Sequence, residues 1–158
     1  MRVKARALRV LVIGFGNPGR RDDGLGPALG DRLDALGRTD ITVDTDYQLS
    51  VEHAELAAGH DVVVFVDAAT DVEATSQFYL RPVRPSADAS YSSHAITPPA
   101  VLQLAAQFFG ATPRGWLLGI RPGDIDSFAE GLTPEGETNL EAALAALLAA
   151  LESNRLIQ

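Results

Sequence analysis

The sequence contains no cysteine. Disulfides, thiolate zinc sites, iron–sulfur clusters and cysteine nucleophiles are therefore excluded, and any bound metal must be held by carboxylates, imidazoles, carbonyls or water. Basic residues are also scarce, since 13 Lys and Arg residues stand against 21 Asp and Glu residues, for a net charge of −8. A nucleic-acid-binding protein needs a cationic surface to neutralise phosphates, so we expect no nucleic-acid partner.

Long apolar runs are missing as well, and no segment approaches the roughly 20 residues of a membrane-spanning helix. The N-terminus is basic and turns apolar at 7–14, but Arg9 interrupts the run and a glycine-rich turn follows, which favours a buried strand over a signal peptide. We therefore expect a cytoplasmic protein with no membrane partner.

The length of 158 residues, with 46% apolar residues, fits one domain over 1–158. We expect a monomer, because the core accounts for the apolar helix stripes.

Predicted strands and helices alternate along the chain. Strands are predicted at 7–14, 41–46, 61–66, 76–83 and 115–121, and helices at 26–36, 51–58, from 98 to about 108 and around 140–151. This order predicts an α/β protein, a three-layer α/β/α sandwich around a mostly parallel, about five-stranded mixed sheet of the phosphorylase/hydrolase-like kind. In such sheets the working residues lie beyond the carboxyl ends of the strands.

The first predicted strand leads into the glycine-rich loop G-F-G-N-P-G-R-R-D-D-G-L-G at 14–26. It contains G-x-G-x-x-G between a strand and a helix, a pattern that also occurs in dinucleotide-binding proteins. Here, however, Pro18 lies inside the motif and the helical pattern begins only near Gly24. Two carboxylates would also stand where the pyrophosphate should bind, and they would repel it. The loop therefore argues against nucleotide binding.

Adjacent acids, Asp22 and Asp23, lie between two arginines and two glycines in this loop. A simple turn accounts for Gly14 and Gly16, but it does not account for the two adjacent acids. One acid can stabilise the start of the following helix, and the other is then free to point into a cleft. We assign Asp22 to the capping or supporting role and Asp23 to the site.

Asp67 and His94 complete the candidate set. Asp67 ends the apolar strand D-V-V-V-F-V, where it could equally be a strand-end cap, and His94 lies in Y-S-S-H-A-I-T-P-P. Together with Asp23 they form two carboxylates and one imidazole, a set that would leave positions open on a divalent metal, as hydrolytic sites require. His53 and His60 belong to no such set of candidate ligands and are interpreted as helix-surface residues. The serine-nucleophile motifs G-x-S-x-G and S-x-x-K and the zinc motif H-E-x-x-H are absent.

Five segments carry a family resemblance. They are G-F-G-N-P-G-R-R-D-D-G-L-G at 14–26, F-V-D-A at 65–68, S-S-H at 92–94, G-I-R-P at 119–122 and G-L-T-P-E-G-E-T-N-L-E-A-A-L at 131–144. In this order the chain resembles the nickel–iron hydrogenase maturation endopeptidases over nearly its whole length.

The resemblance implies an endopeptidase that removes a short C-terminal extension from a hydrogenase large-subunit precursor after nickel insertion. It places the family's three metal-contacting positions on Asp23, Asp67 and His94. From the set of two carboxylates and one imidazole we expect these residues to be catalytic, with Asp67 as the base. The resemblance also implies that Ni²⁺ is presented by the substrate and that Zn²⁺ or Cd²⁺ can take its place. Some family members carry Glu at the first ligand position, where this chain has the shorter Asp23.

Three other interpretations stay open from the sequence. A non-catalytic chaperone that recognises the nickel site would use the same ligands and bind the precursor without cutting it. A diverged sandwich domain could use its acids only as caps. The string G-F-G-N-P-G also resembles the start of peptidyl-tRNA hydrolases, but their His-Asn pair is absent and the net charge of −8 opposes tRNA binding.

Overall fold

The computed structural model describes residues 7–87 and 96–158. Over these ranges the chain forms five strands and four α-helices. The strands are β1 (Val10–Phe15), β2 (Ile41–Asp46), β3 (Val62–Ala68), β4 (Phe78–Val83) and β5 (Arg114–Ile120). The helices are α1 (Leu25–Asp34), α2 (Glu52–Ala58), α3 (Pro98–Phe109) and α4 (Pro134–Glu152), with 3₁₀ turns at Arg21–Gly24 and Arg155–Ile157.

The strands form one sheet in the order β2-β1-β3-β5-β4. β1, β2, β3 and β5 are parallel, while β4 is an antiparallel edge strand. The carboxyl ends of the parallel strands therefore meet at one edge of the sheet, and β4 begins at that same edge because Phe78 pairs with Ile120. This arrangement confirms the predicted mostly parallel, five-stranded mixed sheet.

Helices cover both faces of the sheet. One core lies between the sheet and helices α1 and α4, with Leu29 and Leu147 fully buried against Val64. The other lies beneath α2 and α3, where Ala57 and Val101 pack with Phe65. Alternate residues of β3 enter opposite cores because successive side chains of a strand point to opposite faces. The predicted three-layer α/β/α sandwich is thus confirmed.

Two helices begin with the same dipeptide, Thr followed by Pro. The Thr97 hydroxyl accepts a hydrogen bond from the Ala100 N–H, and the Thr133 hydroxyl accepts one from the Gly136 N–H. Proline fits directly after such a cap because it has no N–H to satisfy in the first turn. The last helix was predicted around 140–151, but α4 begins earlier, at Pro134, because Thr133 caps it.

Two glycines allow the loop after β1 to fold back on the sheet. Gly16 adopts φ +143°, and a Cβ there would stand 2.0 Å from the backbone oxygen of Asp23. A Cβ on Gly26 would stand 2.4 Å from the backbone oxygens of both Phe15 and Val66. The first turn of α1 can therefore pack directly against β1 and β3, which holds the acids of the loop at the sheet edge.

Among the described residues, no helix is long and apolar enough to cross a membrane.

Candidate active site

Asp23 and Asp67 come together at the carboxyl edge of the sheet. Asp67 is the penultimate residue of β3, and Asp23 lies in the 3₁₀ turn that follows β1. Oδ2 of Asp23 accepts a hydrogen bond of 2.9 Å from the Asn17 N–H, which fixes the carboxylate inside its own loop. The neighbouring strands and the close approach of α1 thus bring two carboxylates from distant parts of the sequence into one site.

The charge state of Asp67 is strongly perturbed. Burial of its side chain, followed by the nearby negative charge of Asp23, raises the pKa of Asp67 from 3.8 to about 7. A hydrogen bond from the Ala68 N–H acts in the opposite direction and is too weak to cancel these effects. The Asp67 carboxylate is half-buried, and ionising it next to a second carboxylate is costly. The pair is therefore suited to hold either a proton or a cation near neutral pH.

Asp22 has a different environment from its neighbour. It is fully buried, and its Oδ1 accepts the Thr133 N–H at 2.8 Å. Its Oδ2 accepts N–H groups of Gly123 at 2.6 Å and Asp124 at 3.2 Å, together with the Thr133 hydroxyl. These bonds tie the loop after β1 to the loop after β5 and to the start of α4. Asp22 thus supports the site loop as expected, but it does so at the start of α4, and α1 has no side-chain cap.

The backbone of the glycine-rich loop is strained at Arg21. Arg21 adopts φ +51°, a left-handed conformation that is uncommon for residues other than glycine. Its N–H donates to the backbone oxygen of Ala129 at 2.9 Å, and the Asp22 N–H donates to that of Asp124 at 2.9 Å. Contacts with the loop before α4 therefore hold the turn that presents Asp23.

His94, the third predicted ligand, lies outside the described residues, as does the whole segment 88–95. Within 7–87 and 96–158, no group of three or more His, Cys, Asp or Glu side chains could hold a metal ion. The described part of the site consequently supplies two oxygen donors, from Asp23 and Asp67. The assignment of His94 as a ligand stays a prediction.

His53 was expected on a helix surface, and that interpretation is wrong. Its side chain is buried, with 4% of the residue exposed. Nδ1 accepts the Ser50 N–H at 2.9 Å, so the proton lies on Nε2, which donates to Oδ2 of Asp44 at 2.9 Å. Both nitrogens are thus used to join the start of α2 to β2. His60 is half-buried, and its Nδ1–H donates to the backbone oxygen of Leu56 at 2.8 Å.

Sequence reasoning also missed Tyr79, a side chain in the same row of the sheet as Asp67. Tyr79, at the start of β4, lies on the same face of the sheet as Asp67. Its pKa is raised mainly by burial and by its hydrogen bond with Asp71, with a smaller contribution from the negative charge of Asp67. Gly119 separates the two residues in the sheet. A glycine inside a predicted strand is the signal that could have indicated close approach of another group there.

The fold and the acid pair together define a class: a three-layer α/β/α protein with two neighbouring carboxylates, Asp23 and Asp67, at the carboxyl edge of its sheet. No family model matches the sequence, and no curated protein matches it significantly.

Solved structures, by contrast, match nearly the whole chain. A nickel–iron hydrogenase maturation protease, HycI from Thermococcus kodakarensis, is 23% identical, with a TM-score of 0.71 over 92% of this chain and 93% of that one. The hydrogenase maturating endopeptidase HybD from E. coli is 23% identical, with a TM-score of 0.70 over 93% and 94%. A hydrogenase 2 maturation peptidase from a Thaumarchaeota archaeon is 25% identical, with a TM-score of 0.66 over 91% and 98%. This chain therefore has the fold of the hydrogenase maturation proteases, and the resemblance found in its motifs is confirmed at the level of the fold.

Proposed function

We propose that the chain is a cytoplasmic endopeptidase that removes the C-terminal extension of a nickel–iron hydrogenase large-subunit precursor after nickel has been inserted. The observation that carries the proposal is the pair of electrostatically coupled carboxylates, Asp23 and Asp67, at the carboxyl edge of the sheet. Further support comes from the names of the solved structures that share this fold, which are hydrogenase maturation proteases and endopeptidases.

The electrostatics of the acid pair favour a divalent cation. Two carboxylates balance a charge of +2, and the ion would relieve the repulsion between Asp23 and Asp67 that burial intensifies. Oxygen donors alone also suit Mg²⁺ or Ca²⁺, and the imidazole of His94 would shift the preference to nickel or zinc. In this proposal the nickel belongs to the precursor, so its docking on Asp23, Asp67 and His94 places the adjacent peptide bond at the site. Zn²⁺ or Cd²⁺ would occupy the same three ligands in place of nickel.

Asp67 is proposed as the general base. A water molecule attacks the carbonyl carbon of the scissile peptide, and its proton passes to the Asp67 carboxylate and then to the leaving amide nitrogen as the C–N bond breaks. When the precursor is bound, its nickel would polarise the carbonyl oxygen or the water.

Substitution of the acids tests this proposal. Asp67→Asn should lower the single-turnover rate with a nickel-loaded precursor by about 10²–10⁴-fold, the usual contribution of a general base. Asp23→Asn and His94→Ala should weaken binding of the precursor. The matched control is Asp34→Asn, at the exposed end of α1, which should cleave at the wild-type rate. A fully active Asp67→Asn variant would contradict the assigned role.

A further inference from the structure

Asp67, Gly119 and Tyr79 form a row across three neighbouring strands. In the parallel pair β3–β5, Asp67 is opposite Gly119, and in the antiparallel pair β5–β4, Gly119 is opposite Tyr79. Residues directly opposite each other in a sheet place their side chains on the same face. The row lies on the face covered by α2 and α3, because Phe65 of β3 packs in that core two residues before Asp67.

The absence of a side chain at Gly119 lets the Tyr79 ring lie across the middle of this row. A Cβ added to Gly119 would stand 2.4 Å from Cζ of Tyr79 and 2.7 Å from its Cε1. The same Cβ would stand 2.8 Å from Cβ of Ala69, which follows β3. The phenol end of the ring therefore covers β5 and reaches the end of β3, where Asp67 lies.

Two side chains hold the Tyr79 ring in this position. Its hydroxyl donates a hydrogen bond of 2.9 Å to Oδ1 of Asp71, in the loop after β3. The guanidinium of Arg81 stacks on the ring with its carbon 3.7 Å from the ring centre, and its Nη1 lies 3.4 Å from Oδ2 of Asp71. Burial and the bond to Asp71 raise the pKa of Tyr79 to about 12, so the hydroxyl stays protonated at neutral pH.

We propose that Tyr79 is a substrate-positioning residue, whose ring forms the wall of the site on the side of β4 and contacts the peptide segment next to the scissile bond. This inference rests on the proposed function. A peptide that reaches Asp67 on this face meets no side chain from β5 at Gly119, so the Tyr79 ring is the surface against which its backbone lies. Asp71 and Arg81 keep the ring at that place and thereby set the width of the site.

Steady-state cleavage of a nickel-loaded precursor by full-length variants tests the wall. Tyr79→Ala should raise KM about tenfold with a smaller change in kcat, because a contact made equally in the ground and transition states is lost. Tyr79→Leu keeps most of the volume but loses the flat ring, and should also raise KM. Tyr79→Phe keeps the ring and should stay within about threefold of wild type. The matched control is Phe108→Ala, an exposed aromatic side chain near the C-terminal end of α3 and away from the carboxyl edge of the sheet, which should leave both constants unchanged.

A binding measurement separates failure of this inference from failure of the proposed function. The affinity of the nickel-loaded precursor is compared for Asp67→Asn and for the double variant Asp67→Asn/Tyr79→Ala, and the double variant should bind about tenfold more weakly. Equal affinity, or wild-type KM in both Tyr79→Ala and Tyr79→Leu, would overturn the role of Tyr79 alone. Absence of cleavage by the wild-type protein would overturn the proposed function, while the binding comparison would still decide the role of Tyr79.

Discussion

Replacing Asp22 or Asp23, the adjacent acids of the glycine-rich loop, by Asn should change the free energy of unfolding in different ways. Asp22 is fully buried, and its carboxylate accepts hydrogen bonds from Gly123, Asp124 and twice from Thr133. Asn has nearly the same shape, but only one of its two terminal atoms can accept a hydrogen bond. In Asp22→Asn the amide oxygen would face the three donors at the Oδ2 position, and the amide nitrogen would face the Thr133 N–H.

The cost of this substitution follows from those contacts. One hydrogen bond is lost, and a bond to a charged group is worth about 1.5–3 kcal/mol. The other bonds are kept but lose their charge assistance. We therefore expect Asp22→Asn to lower the free energy of unfolding by about 3 kcal/mol, and the Tm by roughly 6–10 °C for a chain of this size. Asp23→Asn is the matched comparison, because its side-chain oxygen can still accept the Asn17 N–H. Removing its repulsion with Asp67 should leave stability equal or higher.

Urea denaturation of both variants measures this difference. The single tryptophan, Trp116, is a suitable probe because it lies on β5 and donates its Nε1–H to the backbone oxygen of Leu156. Circular dichroism gives an independent transition that should coincide with it. A free energy of unfolding for Asp22→Asn within about 0.5 kcal/mol of wild type, or a larger loss in Asp23→Asn, would refute the structural role assigned to Asp22.

Further predictions concern stability elsewhere in the chain. The pKa of Asp67 is higher in the folded state (about 7) than its ordinary 3.8, so wild-type stability should fall as the pH rises from about 4 to 7. At pH 8 the free energy of unfolding of Asp67→Asn in urea should therefore exceed that of wild type, by at most about 4 kcal/mol. A flat pH profile of the difference between the two proteins would contradict this. Gly16→Ala should cost about 3 kcal/mol or more, since the new Cβ would meet the backbone oxygen of Asp23, whereas Gly37→Ala, with φ +67° and no atom within 4 Å, should cost only about 1 kcal/mol. His53→Ala should lower stability by about 1–3 kcal/mol in the same assay without affecting precursor cleavage.

Local sequence patterns were sufficient to predict the architecture. The apolar run that became β3 and the alternation of strands with amphipathic helices predicted the sheet and its two helical layers. Thr97 and Pro98 predicted the start of α3 because capping depends on neighbouring residues only. The placement of Asp67 at the sheet edge followed from the same logic, since the carboxyl ends of parallel strands coincide.

Features that depend on distant contacts were beyond local patterns. Asp22 was expected near the start of the following helix, but its partners lie more than 100 residues away, at Gly123 and Thr133. His53 looked like a surface residue because a short helix gives no sign that its polar face meets β2. Tyr79 could not be connected with Asp67 from sequence, because their proximity depends on the antiparallel register of β4 across Gly119.

Intact-mass analysis of a large-subunit precursor incubated with this protein tests the central claim most directly. The precursor should be compared in nickel-loaded and nickel-free forms, with the wild-type chain and with Asp67→Asn. We predict loss of a short C-terminal peptide only from the nickel-loaded form and only with the wild-type chain. Tight binding without any change of mass would contradict the endopeptidase and favour a chaperone, and equal cleavage of both precursor forms would contradict recognition through nickel.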